Sequence, residues 1–507
     1  MPEATSSPAV ALVTGSPASI DADLLVVPWF EDDPRSAIDG LDAATGGEVG
    51  RALTSGEFQG KAFEMLFVPI TGGSWRAKRV AIVGAGRRGA ADGDVMRKVA
   101  SAAGHAARQK RIGRVAIFVR GGGDAAELAQ AAVEGVTLAE FHGGSYKTKD
   151  PAPAAAPQWT IAIDGSVDSA ALQRAVDRGR VLGECSNLAR ELANEPGNTL
   201  TPREFAMRAT KLASDVGVAV EILDEKQIAE LGMGLLLGVA RGSSEPPRLM
   251  VFRHDPPGAP RTPVLGLVGK GITFDTGGIS IKPADGMERM KDDMAGGAAV
   301  ACAMRAIAML NAPIRVIGVV PTTENMPGGR AIKPGDILKS AEGKTVEVIN
   351  TDAEGRLILG DGLWYARQLG ATHLIDVATL TGAVIVALGK FTSGLFGTPA
   401  AFVEQVRAVA NRAGDRSWPM PTFDDYMEQL KSEIADFTNT GGRAAGSITA
   451  ALFLKEFTGG LPWVHMDIAG TAWADEARPF MPKGATGVAV RTLASLAFEK
   501  LEEKTEN

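Results

Sequence analysis

The stretch VGKGITFDTGGISIKPADGMERMKDDM, residues 268–294, continues from the apolar, β-branched run at 264–268. Such a run predicts a buried strand, and here it leads into Lys270 and Asp275 instead of an ordinary polar turn. The adjacent glycines at 277–278 permit a sharp change of chain direction. Because open α/β sheets bind ligands at the carboxyl ends of their strands, this stretch predicts an α/β fold with a functional site at a strand end.

A second cluster of charges occurs in INTDAEGRLIL, residues 349–359, at a predicted strand-to-helix junction. In this cluster, Asp352 and Glu354 can point both carboxylates at one cation. Taken alone, the cluster favours a simpler interpretation, in which Asp352 caps the helix, Glu354 interacts with the helix dipole and Arg356 forms a surface ion pair. The presence of two such charged strand ends in one domain favours a metal site.

The histidines and cysteines of the sequence restrict the kind of metal site that is expected. The five histidines are scattered without an HExxH motif, and Cys185 and Cys302 are the only cysteines. A metal site must therefore rely mainly on oxygen ligands. No GxSxG motif is present for a serine nucleophile. His465 lies in an apolar strand and Cys302 in an alanine-rich helix, so we predict that both are core residues.

Apolar runs and helical periodicities alternate along the chain, which predicts two α/β domains with mostly parallel sheets. A Pro/Ala-rich loop at 147–157 is followed at once by a strand candidate, so the domain boundary is placed after that strand. We predict a smaller N-terminal domain, 1–170, and a larger catalytic domain, 171–507. The predicted strands are 23–27, 79–83, 114–119, 159–163, 220–223, 249–252, 264–268, 315–320, 346–350, 374–377 and 464–468, and the predicted helices are 94–108, 125–140, 168–194, 296–310, 353–369 and 446–457.

Length and composition are those of a folded protein with more than one domain. The chain has 507 residues, of which 45% are hydrophobic and 22% charged, so a large core can be buried. Its net charge of −7 gives no general attraction for nucleic acids or anionic membranes, so nucleic acid is not the expected partner. Neither a secretory signal nor an apolar run of about 18 residues is visible. We therefore expect a cytoplasmic protein that does not span a membrane.

Two other functions have partial support in the N-terminal domain. GAGRRG (84–89) follows a predicted strand and matches the GxGxxG pattern of dinucleotide-binding sites. No acidic residue follows it at the expected distance, so we interpret it as a turn. The basic run RQKRIGR (108–114) suits a nucleic-acid-binding module, but the negative overall charge favours a solvated helix end.

The octapeptide NTDAEGRL (350–357) resembles the signature of the leucyl aminopeptidases, also called cytosol aminopeptidases. Further blocks resemble the family in the same order, so that the resemblance covers residues 180–490. These blocks are NEPGNTLTP (194–202), GKGITFDTGGISIKP (269–283), MKDDMAGGAAV (290–300), KPGD (333–336), DVATLTGA (376–383), RAAGSITAALFLKEF (443–457) and PWVHMDIAGTAW (462–473). The resemblance implies a metal-dependent aminopeptidase that removes the N-terminal residue of a peptide, preferably leucine or another apolar residue.

The resemblance further implies a centre of two divalent cations, Mn²⁺ or Zn²⁺, with Mg²⁺ and Co²⁺ as alternatives. One ion would be held by Lys270, Asp275, Asp293 and Glu354, and the other by Asp275, Asp352 and Glu354. Two such ions lower the pKa of a shared water and polarise the scissile carbonyl. Lys270 must lose its proton to become a ligand, whereas Lys282, which matches the family's catalytic lysine, stays protonated and stabilises the oxyanion.

Residues around the ions also receive roles from the resemblance. Arg356 matches an arginine that holds a bicarbonate ion, which is thought to act as a proton shuttle. Met290, Thr379, Leu380 and Gly382 match positions that contact the substrate, and Met290 and the small Gly382 indicate an apolar pocket for leucine-like side chains. The family resemblance finally implies a macro-like N-terminal domain and a homohexamer, in which the active sites face a shared interior that admits short peptides.

Overall fold

The structure is a computed structural model that describes residues 10–149, 156–165 and 168–501. It divides the chain into two compact units, one formed by residues 1–184 and 476–483 and the other by residues 185–475 and 484–507. The division falls within a long helix, Ser169–Asn194. The domain limits near residue 170 stay a prediction. Within the loop predicted at 147–157, residues 150–155 lie outside the described ranges.

The described part of the first unit contains a six-stranded, mostly parallel sheet. Its strands are β1 (Ala11–Thr14), β2 (Leu24–Trp29), β3 (Met65–Pro69), β4 (Arg79–Gly84), β5 (Arg114–Val119) and β6 (Gln158–Ile163). Their order is β1-β6-β5-β2-β4-β3, and only the edge strand β3 runs antiparallel to its neighbour. The four strands predicted in this region are confirmed, because runs such as RVAIFV are apolar over the whole buried length of a parallel strand.

Helices cover this sheet. They are α1 (Leu41–Ala44), α2 (Glu48–Ser55), α3 (Gly93–Gln109), α4 (Ala125–Leu138) and α5 (Ser169–Asn194), with short 3-10 helices at Pro17–Ser19 and Arg88–Ala90. A buried ion pair joins α3 to α4, in which Arg97 Nε donates to Glu134 Oε2 at 2.6 Å. The helices predicted at 94–108, 125–140 and 168–194 are confirmed within two residues at each end.

The segment 476–483 belongs to the first unit although it lies near the end of the chain. The ring of Phe480 contacts that of Phe63, with centroids 5.0 Å apart. The carbonyl of Phe480 accepts a hydrogen bond from Ser101 Oγ at 2.8 Å. These contacts attach the segment to α3 and to the loop that precedes β3.

The second unit contains a larger mixed sheet. The strands of this unit are β7 (Ala219–Leu223), β8 (Arg248–His254), β9 (Val264–Gly269), β10 (Gly271–Asp275), β11 (Arg315–Asn325), β12 (Ile337–Lys339), β13 (Thr345–Glu347), β14 (His373–Ala378), β15 (Ser393–Thr398), β16 (Ser417–Pro419), β17 (Phe437–Thr438), β18 (Trp463–Asp467), β19 (Trp473–Ala474) and β20 (Gly484–Ala485). The main order is β16-β15-β18-β14-β9-β11-β8-β7, with β10 paired to the end of β11. The central strands β18, β14, β9 and β11 are parallel, as predicted, and the sheet becomes antiparallel at β15 and β8.

Helices of the second unit pack on this sheet, and charged residues lie next to the first turns of two of them, α9 and α10. They are α6 (Pro202–Ser214), α7 (Glu225–Glu230), α8 (Gly234–Ala240), α9 (Ala295–Met309), α10 (Gly355–Gln368), α11 (Gly382–Leu388), α12 (Ala400–Arg412), α13 (Gly446–Lys455) and α14 (Val490–Leu496), with 3-10 helices at Met287–Asp292 and Asp424–Leu430. In the part of the chain that the structure describes, no helix is both long enough and apolar enough to cross a membrane.

The strand predicted at 346–350 is wrong in extent. β13 ends at Glu347 and belongs to a small sheet of order β12-β13-β17, apart from the main sheet. The backbone N–H groups of Ile349 and Asn350 donate to the side-chain oxygen of Asn439. A side chain about ninety positions away in sequence therefore takes the place of a strand partner, and the chain turns into the loop before α10.

A buried carboxylate fixes the position of α10. Asp361 is fully buried and accepts hydrogen bonds from the backbone N–H groups of Leu235 and Leu236, both at 3.0 Å, and of Ala341 at 2.9 Å. These bonds tie α10 to the first turn of α8 and to the loop between β12 and β13. Burial raises the pKa of Asp361 to about 7, although the three N–H donors oppose this change.

We expect Asp361→Ala to lower the free energy of unfolding by about 2–4 kcal/mol, because buried N–H groups lose their acceptor. Asp361→Asn keeps one acceptor oxygen, so its free energy of unfolding should fall by less than that of Asp361→Ala. Because the pKa of Asp361 is raised, the folded state keeps a proton on this residue between about pH 4 and 7, whereas the unfolded state releases it. The contribution of Asp361 to the free energy of unfolding of the wild-type protein therefore falls as pH rises through that window. The stability deficit of Asp361→Asn should therefore be larger at pH 5 than at pH 8 in thermal melts. An equal deficit at both pH values would contradict the raised pKa.

Candidate metal centre

The predicted site residues gather at the carboxyl ends of parallel strands of the main sheet. Lys270 stands between β9 and β10, Asp275 is the last residue of β10, and Thr379 follows β14 directly. Glu354 is the residue before α10, and Asp293 lies between the 3-10 helix Met287–Asp292 and α9. The topology therefore brings residues from distant parts of the sequence to one edge of the sheet.

Three carboxylates form the centre of this site. Asp275, Asp293 and Glu354 each offer an oxygen atom, and these atoms all lie within 4.8 Å of one another. The three residues are only 2%, 6% and 1% exposed. Asp293 Oδ2 is buried without a hydrogen-bond partner among the described residues. Clustered, buried carboxylate oxygens, one of them unsatisfied, are the donor set of a divalent cation, so these residues fit a metal ion.

The ammonium group of Lys270 lies inside this cluster. Its Nζ donates to Asp293 Oδ1 at 2.7 Å and to the carbonyl of Thr379 at 3.0 Å, and it lies 2.8 Å from Glu354 Oε1. Burial by itself lowers the pKa of Lys270, but the neighbouring carboxylates outweigh burial and raise this pKa above its ordinary value. A cation that used Lys270 as a ligand would have to displace this proton. Gly355 is required here, because a Cβ atom at this position would lie 2.8 Å from Nζ.

Lys282 connects Asp352 to the cluster. Its Nζ lies 2.7 Å from Asp275 Oδ2 and also contacts Asp352 Oδ1. Asp352 is thus outside the group of three close carboxylates and reaches it through Lys282. Burial lowers the pKa of Lys282, but the surrounding carboxylates raise it above the ordinary value, so this lysine stays protonated. The side chain of Lys282 is 22% exposed, which leaves its charge accessible from one side.

The charges of the site do not balance. Four carboxylates (Asp275, Asp293, Asp352 and Glu354) face the two ammonium groups of Lys270 and Lys282, which leaves an excess of two negative charges. Burial is the main cause that raises the pKa values of Asp293, Glu354 and Asp352, and repulsion from Asp275 adds to it in each case. A divalent cation would remove this repulsion, which is a second reason why these residues fit a metal.

Arg356 lies in the first turn of α10 and is 6% exposed. Its Nε and Nη1 atoms are buried and find no hydrogen-bond partner in the described chain. Burial lowers the pKa of Arg356 to about 10, and Glu354 and Asp467 act against this change. The guanidinium group remains charged at neutral pH and offers unused donors, which suits a small oxyanion.

Of the four residues predicted to contact the substrate, Thr379 contacts the cluster directly. Thr379 Oγ1 donates to Asp293 Oδ1 at 2.7 Å. The N–H of Leu380 donates to Asp467 Oδ1 at 3.2 Å. Gly382 is the first residue of α11, and a Cβ atom built on it would meet nothing within 4 Å. Met290 is half-buried in the 3-10 helix that leads to Asp293.

Asn325 is a site residue that the sequence does not predict, and it holds one of the carboxylates. Its Nδ2 donates to Asp275 Oδ1 at 2.8 Å and to the carbonyl of Thr351 at 3.0 Å. Asn325 is the last residue of β11, beside the end of β10. A polar residue at the end of a neighbouring parallel strand was the available signal, but the predicted strand stopped at residue 320.

Other motifs of the sequence have structural explanations. His465 and Cys302 are both 0% exposed, so their predicted place in the core is confirmed. His465 Nδ1 lies 2.6 Å from Asp376 Oδ1, and Trp463 Nε1 donates to the other oxygen of Asp376. In GAGRRG, a Cβ atom on Gly84 would lie 1.8 Å from the carbonyl oxygen of Lys61. Close backbone packing thus accounts for this glycine without a dinucleotide.

Comparison with known families gives matches in both halves of the chain. The catalytic domain of the cytosol aminopeptidase family matches residues 187–494, and the N-terminal domain of the same family matches residues 26–150. A probable cytosol aminopeptidase of Solibacter usitatus is 51% identical over 480 residues, which cover 95% of this chain and 97% of that protein. One from Koribacter versatilis is 44% identical over 508 residues, which cover 96% and 98% of the two chains.

Solved structures show the same likeness. A mutant of tomato leucine aminopeptidase has a TM-score of 0.87 and 33% identity, with 97% of each chain covered. The bottromycin maturation enzyme BotP in complex with Mn has a TM-score of 0.81 and 35% identity, with 94% of this chain and 100% of BotP covered. The buried carboxylate cluster agrees with the metal dependence of the matched family. The chain therefore belongs to the cytosol aminopeptidase family, whose members are metal-dependent hydrolases that remove N-terminal residues from peptides.

Proposed function

We propose that this protein removes N-terminal leucine, or another apolar residue, from peptides with the help of two divalent cations. The observation that carries the proposal is the group of three buried carboxylates with oxygens within 4.8 Å of one another. Lys270, Asp275, Asp293 and Glu354 would hold one ion, and Asp275, Asp352 and Glu354 the other. The side chains of Lys270 and Lys282 lie between these carboxylates, where the excess of negative charge attracts cations.

Mn²⁺ and Zn²⁺ are the ions that we propose first, with Mg²⁺ and Co²⁺ as alternatives, because carboxylate oxygens and one amine suit all four. Such ions would lower the pKa of a shared water and polarise the scissile carbonyl. The protein supplies a rigid frame for this chemistry. Asn325 and the backbone N–H of Gly277 both donate to Asp275 Oδ1, at 2.8 and 2.9 Å, and thereby fix the orientation of this carboxylate.

Lys282 is the residue that we propose to stabilise negative charge on the substrate. Its pKa is raised, so it carries a full positive charge at neutral pH. Its partly exposed ammonium group can donate a hydrogen bond to the oxyanion that forms when the peptide carbonyl is attacked. Electrostatic stabilisation of this kind acts on the transition state more than on the bound substrate.

Arg356 is the proposed site of a bicarbonate ion. Two of its nitrogen atoms are buried and have no acceptor in the described chain, and a planar oxyanion matches the geometry of a guanidinium group. Bicarbonate held there would supply a base for proton transfer. Arg356 itself stays protonated near neutral pH because its pKa of about 10 is well above that range.

Met290, Thr379, Leu380 and Gly382 are the proposed substrate contacts. Thr379 donates a hydrogen bond to Asp293. A substrate that contacts Thr379 would therefore lie next to the carboxylates. Gly382 leaves open space where a side chain would otherwise stand, which suits the branched side chain of leucine.

A homohexamer in the cytoplasm is the proposed form of the protein. Two exposed apolar residues in and just after α11 support assembly. Val386 is 90% exposed and Phe391 is 63% exposed. Large exposed apolar side chains close together are typical of an interaction surface. The macro-like character of the N-terminal domain also stays a proposal.

We expect Mn²⁺ to stabilise the chelator-treated wild-type protein, by about 2–3 kcal/mol at a hundredfold excess over its Kd. Asp275→Asn should abolish this gain and lower hydrolysis of leucine-p-nitroanilide by about 100-fold or more, because the proposed bridging charge is lost. Thermal melts and metal analysis measure both effects. Asp285→Asn, an exposed acid in the same loop, is the control and should behave like wild type. Equal stabilisation of wild type and Asp275→Asn would contradict the metal site.

Lys282→Ala should lower kcat for leucine-p-nitroanilide by about 100–1,000-fold, because a donor to the oxyanion is removed, while KM changes little. The metal content of the refilled variant is measured at the same time and should match that of wild type. Lys333→Ala removes a lysine that is 66% exposed and pairs with Asp336, and it should retain full activity. Full activity in Lys282→Ala would refute the role proposed for this lysine.

Gly382→Val should fill the space proposed for the substrate side chain. We expect kcat/KM for leucine-p-nitroanilide to fall by about tenfold or more, and kcat/KM for alanine-p-nitroanilide to fall much less, because the smaller residue avoids the added methyl groups. Gly382→Ala should give an intermediate ratio. If both substrates lose activity equally in the valine variant, Gly382 does not contribute to specificity.

A further inference from the structure

The first unit contains a cavity of about 570 Å³ at the carboxyl ends of its parallel strands. Its lining residues lie between Ser16 and Asp164, so it is formed by the first unit alone. The loops that follow β1, β5 and β6 all contribute, through Ser16, Arg120 and Asp164. Neither the carboxylate cluster nor the proposed peptide hydrolysis uses these residues.

The strand order explains why a cavity forms at this place. From β2 the chain continues to β3 and β4 on one side of the sheet, and from β5 it continues to β6 on the other side. The loops after β2 and β5 therefore leave in opposite directions and open a crevice between two adjacent strands. Such switch points are where open α/β sheets bind their ligands.

A pair of arginines is fixed at this crevice. Asp33, whose side chain is completely buried, accepts from Arg120 Nη1 at 2.7 Å and also contacts Arg88. The two guanidinium groups lie over the ring of Phe30, at 5.5 and 4.4 Å from its centroid. One carboxylate thus holds two guanidinium groups, so Asp33 balances only one of their two positive charges.

Negative charge lies on the same cavity. Asp39 and Asp164 both line it and are exposed. Apolar side chains of Ile38, Phe118 and Leu128 also line the cavity, with only a small part of each exposed. The cavity therefore combines positive groups, exposed negative groups and some apolar surface.

We propose that this cavity binds a free α-amino acid with an apolar side chain. Its carboxylate would bind to Arg88 and Arg120, its ammonium group to Asp39 and Asp164, and its side chain to the apolar side chains. Paired arginines match a carboxylate, and a zwitterion satisfies both signs of charge at once. The ligand belongs to the class of product expected from the proposed function, but binding at this cavity does not depend on that function.

Isothermal titration of the full-length, chelator-treated protein with L-leucine tests the proposal. We expect about one binding site per chain outside the metal centre, and binding at least about tenfold weaker for leucinamide and for 4-methylpentanoate, each of which lacks one charged group. Arg88→Gln and Asp164→Asn should each weaken leucine binding by about tenfold. Both variants replace side chains that are accessible to solvent, so both proteins should fold. Thermal melts check that they do. Arg76→Gln, an exposed arginine that does not line the cavity, is the matched control.

Several results would overturn the proposal. Absence of saturable leucine binding would contradict it. Binding that neither Arg88→Gln nor Asp164→Asn weakens would also contradict it, because the ligand would then lie elsewhere. Inorganic phosphate is titrated in parallel. If phosphate binds with dependence on Arg88 and leucine does not displace it, the cavity is an anion site and not an amino-acid site. These outcomes are separate from peptidase activity, so a failure of the proposed function leaves the test intact.

Discussion

The crowding of four carboxylates, three of them buried, beside only two ammonium groups is the constraint that shapes the catalytic unit. Removal from water favours the neutral form of each acid, and the pKa values of Asp293 and Glu354 rise accordingly. The site remains assembled because its members are held from outside. Asn325 orients Asp275, Thr379 donates to Asp293, and the absence of a side chain at Gly355 allows Lys270 to approach. The same electrostatic conflict that disfavours the site alone makes it attractive to cations.

The parallel sheet is what makes this concentration of charge possible. Parallel strands end at a common edge, so residues that follow β9, β10 and β14 meet there although long stretches of chain separate them. Helix α10 brings Glu354 and Arg356 to the same edge, and the buried bonds of Asp361 fix this helix against α8. The chemistry therefore rests on packing at a distance as well as on the charged residues themselves.

Most of what could be predicted from the sequence depends on local patterns. Strand β5 is predicted to the residue because RVAIFV is apolar after its first residue, and Lys270 and Asp275 are located because they come after such a run. Interactions between distant residues were not visible. The strand predicted at 346–350 is shortened by the side chain of Asn439, and Asn325 acts on Asp275 from a neighbouring strand. No local pattern encodes the partner of a residue that lies fifty or ninety positions away.

The return of residues 476–483 to the first unit means that the two units do not correspond to two uninterrupted halves of the gene product. A chain shortened to its catalytic part would still carry Phe480, but without Phe63 to cover its ring or Ser101 to bind its carbonyl. An apolar side chain and a backbone acceptor would then face water within a loop of the remaining part. Loss or exchange of the N-terminal unit would therefore leave these groups exposed unless the late segment changed as well.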